Sequence, residues 1–385
     1  MKRNLKYLTF KIPFNKPHLT RKEMGYISHA HSLGQLSGDG YYTQKCHQWL
    51  EKNLDTKRAF LTNSCTSAME MMAILLNINS GDEVIMPSFT FSSTANAVVL
   101  RGGTPVFIDI RLDTLNINEN LIEGAITAKT KAIFVVHYAG VGCEMDQIKK
   151  IAKKHNLFVL EDAAQALLAK YKGKYLGTLG DMGAFSFHET KNIISGEGGA
   201  LLVNNTNFIE RAEIIREKGT NRDKFFRRQV DKYTWVDIGS SYLPGEMVAA
   251  FLMAQLELAK EITKKRLKIW NTYHKAFEQL EKLGYLRRPI VPKNTEHNGH
   301  IYYVLLSNVQ TRDKFIDFLG QRDILAIFHY IPLHSSPAAK KYGRFVGNMK
   351  VTNKTSDTLL RLPLFFDMTD NELEYIIKSV KDFFK

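Results

Sequence analysis

Sulfur for cross-linking is almost absent from this chain. Its 385 residues hold three cysteines, Cys46, Cys65 and Cys143. They are far apart and odd in number, which excludes a disulfide framework and offers no zinc-knuckle spacing. No apolar run approaches the roughly 18 consecutive residues that a membrane span requires. The basic N-terminal stretch MKRNLKYLTFKIPFNKP has no apolar segment of signal-peptide length. Internal repeats and low-complexity segments are missing too. So is a dense basic stripe. The net charge is +14, from 53 Lys and Arg against 39 Asp and Glu. The lysines and arginines are scattered, at Lys149, Lys150, Lys153 and Lys154, at Arg227 and Arg228, and at Lys264 to Arg266. Neither nucleic acid nor membrane is expected as a partner, and a reducing cytoplasm is the expected location.

What is present is a core-forming sequence. Hydrophobic residues make up 44% and charged residues 24%, enough to bury the core of a chain long enough for two domains. Short β-branched runs read as buried strands: DEVIMPS (82–88), TPVFIDI (104–110), KAIFVVHYAG (131–140), LFVLEDAAQ (157–165) and GALLVNN (199–205). Helical segments alternate with them. In MDQIKKIAKKHN (145–156), Met145, Ile148, Ile151 and Ala152 share one face and the lysines the other. This alternation predicts an α/β fold with a mostly parallel sheet. From Glu246 to Leu280 the pattern is one long amphipathic helix without Pro or Gly, of a length that bridges two domains. HIYYVLLSNV and ILAIFHYIPL then read as strands, and DNELEYIIKSVKDFF as a final helix. The expected organisation is a large domain, 1–255, and a smaller α+β domain, 256–385.

Several residues carry chemistry. Asp162 follows the apolar run of LFVLEDAAQ, where it either faces a ligand beyond a strand end or caps the next helix. The polar cluster Asn63 to Ser67 opens an apolar helical run, a place for ordinary capping or for a phosphate. FSFHETKNIISGEGG (185–199) half-resembles H-E-x-x-H, but Asn192 stands where the second ligand would be, so no metal is expected. GEGG is not G-x-G-x-x-G, and the dinucleotide fingerprint fails. Lys191 remains, between an apolar run and three glycines that permit close backbone approach. A buried lysine has a depressed pKa and serves as a nucleophilic amine. An amine, a carboxylate for a ring nitrogen and an anion site are together what pyridoxal phosphate requires.

LTNSCTSAMEM, PSFTFSSTANA, VVHYAGVGCEMD, LEDAAQ and FSFHETKNIISGEGGALL resemble the sugar-nucleotide aminotransferases. The resemblance runs from IPFNKP (12–17) to RLPLF (361–365), and residues before about Lys11 read as an extension. It implies a fold-type I enzyme that uses pyridoxal 5'-phosphate. It assigns Lys191 to the cofactor's aldehyde and to proton transfer, and Asp162 to the pyridinium nitrogen. Gln165 falls near the cofactor's hydroxyl, Phe91 on its ring face, and Cys65, Thr66 and Ser186 at its phosphate. His329, Tyr330 and His334 become candidates for the sugar-nucleotide site. The implied substrates are L-glutamate and a dTDP-4-keto-6-deoxyhexose, and the implied assembly is a homodimer with shared active sites. Dehydratases of the same family carry His in place of Lys191. Two positions depart from the family pattern. Leu243, in GSSYLPGE, replaces a residue that reaches the partner subunit's phosphate, where Ser241 is a substitute candidate. Cys65 replaces a glycine. His188 has no assigned role.

Overall fold

A computed structural model describes residues 10–385. The expected N-terminal extension falls on residues 1–9, outside that range. Seven strands of one sheet position everything else: β1 (Arg58–Thr62), β2 (Glu83–Pro87), β3 (Thr104–Ile108), β4 (Thr130–Val136), β5 (Phe158–Asp162), β6 (Met182–Ser186) and β7 (Gly199–Val203). Their spatial order is β1-β7-β6-β5-β4-β2-β3, and Arg344–Phe345 adds an eighth strand beside β3. From β6 to that edge all neighbours are parallel. Only β7 opposes its neighbours, β1 and β6.

The apolar runs are continuous because both faces of the sheet are covered. Ile85, Ile133, Val135 and Val159 enter one core. Their alternates Val84, Met86, Ala132, Phe134 and Leu160 enter the other, as the two-residue pleat demands. The helix Met145–His155 buries Met145, Ile148, Ile151 and Ala152, the face its spacing predicts.

The expected single helix from Glu246 to Leu280 is three: Glu246–Glu257, Ala259–Ala276 and Glu278–Lys282. Leu258 and Phe277 leave helical geometry, with φ −100 at each. The segment meets two cores. Ala249, Ala250, Leu252 and Ile262 pack on the large sheet, whereas Ile269, Trp270 and Tyr273 pack in a separate C-terminal core. The passage from one core to the other lies within Ala259–Ala276, between Ile262 and Ile269.

The C-terminal core is built on the strands Tyr302–Leu305, Leu359–Leu362 and Ile327–Phe328. Of ILAIFHYIPL only Ile327–Phe328 is strand; Pro332 further on has no N–H to continue a ladder. The two layers exchange segments. Ile12 packs in the C-terminal core, and Arg344–Phe345 pairs with β3. No helix of the described residues is long and apolar enough to cross a membrane.

Candidate active site

Ligands of open α/β sheets bind beyond the carboxyl ends of the strands. Here β5 ends at Asp162 and β6 at Ser186, while β1 and β2 lead into the helices Cys65–Leu75 and Ser92–Val99. Register sets Asp162 between Val136 and Ala184, and Ser186 beside Gly199. Between this edge and the C-terminal layer lies a cavity of about 680 Å³. Of the residues expected to bind cofactor or sugar, only His334 is missing from its wall. A larger groove, about 1550 Å³, runs along the lysine-rich outer face of Ala259–Ala276 and contains none of them.

Lys191 sits on the excursion between β6 and β7. The excursion closes on itself through Phe187 N to Gly198 O at 2.9 Å and Ser195 N to Phe187 O at 2.7 Å. Gly196, at φ +80, makes the turn, a conformation that glycine adopts without strain. Next to the lysine, Asn192 donates to Asn298 O at 3.1 Å and accepts from His300 Nδ1 at 2.9 Å, which ties the loop to the C-terminal half. Burial pushes the pKa of the Lys191 amine down, against the pull of Cys65 and Asp162 and with added repulsion from Arg361. A larger fraction is therefore the neutral, nucleophilic amine.

Two acids end β5, and the pleat separates their roles. Glu161 is fully buried and accepts from Gly177 N at 2.8 Å, Leu179 N at 2.7 Å and Gly180 N at 2.5 Å. It also pairs with His137 Nε2 at 2.8 Å. Asp162 points the other way, into the cavity. Its Oδ2 accepts from Thr94 Oγ1 at 2.8 Å and its Oδ1 from Ala164 N at 3.1 Å. Among the described residues no cation pairs with this buried carboxylate. The helix-cap alternative fails, since turns follow β5. Between Asp162 and Lys191 lie the short strands Lys170–Tyr171 and Lys174–Tyr175 and then β6.

At the start of Cys65–Leu75, Ser64 caps the helix by accepting from Ser67 N at 3.0 Å. The N–H groups of Cys65 and Thr66 have no partner among the described residues, as the first positions of a helix require. Thr66 Oγ1 lies 2.8 Å from Ser93 Oγ. Gly199 lets β7 pass under this end, since a Cβ there would lie 2.3 Å from Ser64 C and 2.4 Å from Cys65 N. Cys65 is the first helical residue and is absent from the positive-φ positions, so it takes the place of glycine without strain.

The other expected residues are placed as follows. Phe91 immediately precedes Ser92–Val99 and is 61% exposed. Gln165 is held at both ends, by Ala139 N at 2.7 Å and Tyr330 Oη at 3.1 Å. His329 Nδ1 lies 3.0 Å from Tyr138 Oη, and burial holds this imidazole well below its ordinary pKa. His334 lies outside the cavity, with Nδ1 2.7 Å from Ser88 Oγ, because the turn at Leu333–Ser335 directs it to the β2 end instead. His188 Nδ1 accepts from Thr190 N at 3.2 Å, and its Nε2 lies 3.5 Å from Glu197 at the cavity mouth. Leu243 packs against Gly38, and Ser241 O accepts from Asn63 Nδ2 at 3.4 Å. Sequence reasoning missed Thr94, Arg266, His300 and Arg361. Thr94 stands in PSFTFSSTANA and Arg361 in RLPLF, but their neighbours in space come from distant strands.

These residues fit a pyridine aldehyde phosphate. Two free N–H groups at a helix start, with hydroxyls beside them, suit a phosphate. An unpaired buried carboxylate suits a protonated ring nitrogen, and a neutral-leaning amine suits an aldehyde. The profile of the DegT/DnrJ/EryC1/StrS aminotransferase family matches residues 17–381. The chain is 38% identical to protein MJ1066 of Methanocaldococcus jannaschii, over 89% of this chain and 90% of that one. It is 31% identical to GDP-perosamine synthase of Escherichia coli O157:H7, over 97% and 98%. Among solved structures, Spr1654 of Streptococcus pneumoniae in its PMP form superposes with TM-score 0.90 at 26% identity, over 97% and 99%, and it is also solved in a PLP form. With cavity, profile and relatives in agreement, this chain belongs to the DegT/DnrJ/EryC1/StrS aminotransferase family, a fold-type I enzyme whose cofactor is pyridoxal phosphate.

Proposed function

We propose that the protein moves the amino group of L-glutamate to C4 of dTDP-4-keto-6-deoxy-D-glucose. The products are 2-oxoglutarate and dTDP-4-amino-4,6-dideoxy-D-galactose. The observation that carries the reading is the placement of the Lys191 amine, its pKa lowered by burial, in one cavity with the cation-free carboxylate of Asp162. Support for the sugar comes from long stretches, RAEIIREKGTNRDKFFRRQVDKYTWVDIGSSYL and FHYIPLH, that resemble dTDP-4-amino-4,6-dideoxygalactose transaminase. That enzyme serves surface polysaccharides of the enterobacterial common antigen type, and we assign this chain the same role, in the cytoplasm. The relative named GDP-perosamine synthase also carries a nucleotide-linked sugar in its name.

When bound, the cofactor supplies an aldehyde and an electron-accepting ring. Asp162, steadied by Thr94 and Ala164 N, holds the proton on the ring nitrogen. Cys65 N, Thr66 and Ser186 hold the phosphate, and Phe91 covers the ring face. Lys191 Nζ takes the proton from the α-carbon of glutamate in the first half and delivers a proton to sugar C4 in the second. His329 and Tyr330, on the far wall, meet the sugar. Overall, one amino group and one carbonyl oxygen change places between the two substrates, with no other reactant needed. The exposed aromatic ring of Phe91 fits the expected homodimer, in which a partner subunit completes the cavity and supplies the phosphate contact that Leu243 lacks.

The test is direct. Purified holoenzyme is yellow, glutamate bleaches it, and the keto sugar restores the colour. NMR of the product shows an axial amine at C4. An equatorial amine, or turnover of a UDP-linked sugar in preference, replaces the substrate assignment. A protein that takes up pyridoxal phosphate and ignores glutamate refutes the donor. Lys191→Ala abolishes turnover, and persistent turnover removes Lys191 as the proton carrier.

A further inference from the structure

Arg361 is a half-buried cation without an anion. It lies in the strand Leu359–Leu362, and its guanidinium is part of the cavity wall that also holds Lys191 and Asp162. Among the described residues no carboxylate is paired with it; the anion-forming groups that act on it are only the phenols of Tyr138 and Tyr330. Its Nε is buried and has no hydrogen-bond partner. Its Nη2 reaches Phe328 O at 3.4 Å, a long contact. One face of the guanidinium rests on Phe14, 4.6 Å from the ring centroid, so that donors at its edge are what it can offer.

Three other arginines are completed within the fold. Arg266, the second guanidinium of the cavity, is satisfied by Gly299 O at 3.2 Å and His300 O at 2.6 Å. Arg216 is paired by both carboxylate oxygens of Asp39, and Arg344 by both of Glu83. A buried charge left unpaired destabilises a fold. A planar guanidinium is completed best by a bidentate carboxylate or phosphate.

We infer that Arg361 is the carboxylate anchor of the amino donor, gripping the carboxylate bonded to the carbon that gives up its amino group. This rests on the reading of an amino acid as donor. Position distinguishes this anion from the diphosphate of the sugar nucleotide. Arg361 and Lys191 line the same cavity. In an α-amino acid the carboxylate is attached directly to the reacting carbon. In the sugar nucleotide the pyranose ring separates reacting C4 from the diphosphate on C1. An anion site in the reacting lysine's own cavity therefore matches the amino acid.

The experiment uses holoenzyme and follows cofactor absorbance while L-glutamate is added, for wild type, Arg361→Gln and Arg361→Lys. Loss of a charge-assisted pair predicts that Arg361→Gln needs about tenfold to a hundredfold more glutamate for half-conversion. Arg361→Lys, which keeps the charge and loses the fork, falls between. 4-Aminobutyrate has no carboxylate on its amine-bearing carbon, so its half-conversion is unchanged and the preference for glutamate collapses in Arg361→Gln. The return half-reaction with the keto sugar keeps its half-saturation. Unchanged glutamate titration and donor preference in the variants overturn the inference, and so does a defect confined to the sugar half-reaction. If Arg361→Gln fails to hold cofactor, Arg361→Lys decides by the same two readouts. A wild type that glutamate never bleaches refutes the glutamate reading itself, whatever the variants do.

Discussion

Gly199→Ala tests whether the start of the helix Cys65–Leu75 is the phosphate cradle. The added methyl carbon would lie 2.3 Å from Ser64 C, 2.4 Å from Cys65 N and 2.5 Å from Ser64 O. All three atoms are backbone, and ordinary contact begins near 3.4 Å. No side chain can rotate away, so the helix start must retreat by about 1 Å, at an overpacking cost of about 1–3 kcal/mol. That retreat carries the N–H groups of Cys65 and Thr66 with it. A hydrogen bond to a charged group contributes about 1.5–3 kcal/mol, so losing one weakens cofactor binding about tenfold to a hundredfold. The assay is absorbance titration of apoprotein with pyridoxal phosphate, alongside thermal unfolding without cofactor. Gly196→Ala is the control. Its φ of +80 strains an alanine, but no atom lies within 4 Å of the added carbon. It loses about 1–2 kcal/mol of stability and keeps its affinity. If Gly199→Ala binds cofactor as tightly as wild type, the helix start is not the phosphate site, and the reasoning fails.

Three further outcomes follow from the packing. Glu161→Gln turns an amide donor toward backbone N–H groups that Glu161 now receives, and breaking this buried cluster lowers stability by about 3–5 kcal/mol in chemical denaturation; a loss under 1 kcal/mol contradicts it. Thr94→Val removes the Oγ1 bond to Asp162 Oδ2 while keeping the side chain's shape, so kcat falls about tenfold with the fold intact, and an unchanged kcat frees Asp162 from dependence on Thr94. The imidazoles of His47, His300 and His329 are held by burial well below their ordinary pKa. The unfolded chain therefore binds more protons below about pH 6.5, and stability falls with pH from there downward. Melting temperature against pH shows this slope, and His300→Gln makes it shallower; a slope identical in the variant refutes the part assigned to His300.

Much of the large sheet was legible because burial on both faces writes itself as continuous apolar runs. β2, β3, β5 and β7 fall inside such runs and β4 all but its first residue, whereas RAFLT, which forms β1, has no Val or Ile to mark it. The long stretch Glu246–Leu280 misled because it has no Pro or Gly, the usual breakers. Its breaks at Leu258 and Phe277, and the two cores it meets, are not marked in the local pattern. Asp162 and Lys191 were legible as a pair of chemical types, although the local pattern left Asp162 open as a helix cap.

Residue type and local pattern were enough to dictate the parallel α/β layering, the lysine and the absence of a local metal motif at FSFHETKNIISGEGG. They could not say which of the adjacent acids Glu161 and Asp162 faces the ligand, because pleat direction depends on which face each neighbouring strand buries. They could not separate His329, on the cavity wall, from His334, turned to Ser88. They gave Arg361 no role either, since a missing partner is visible only when every neighbour in space is known. Such properties belong to contacts between residues far apart in the chain, and only the folded molecule brings those residues together.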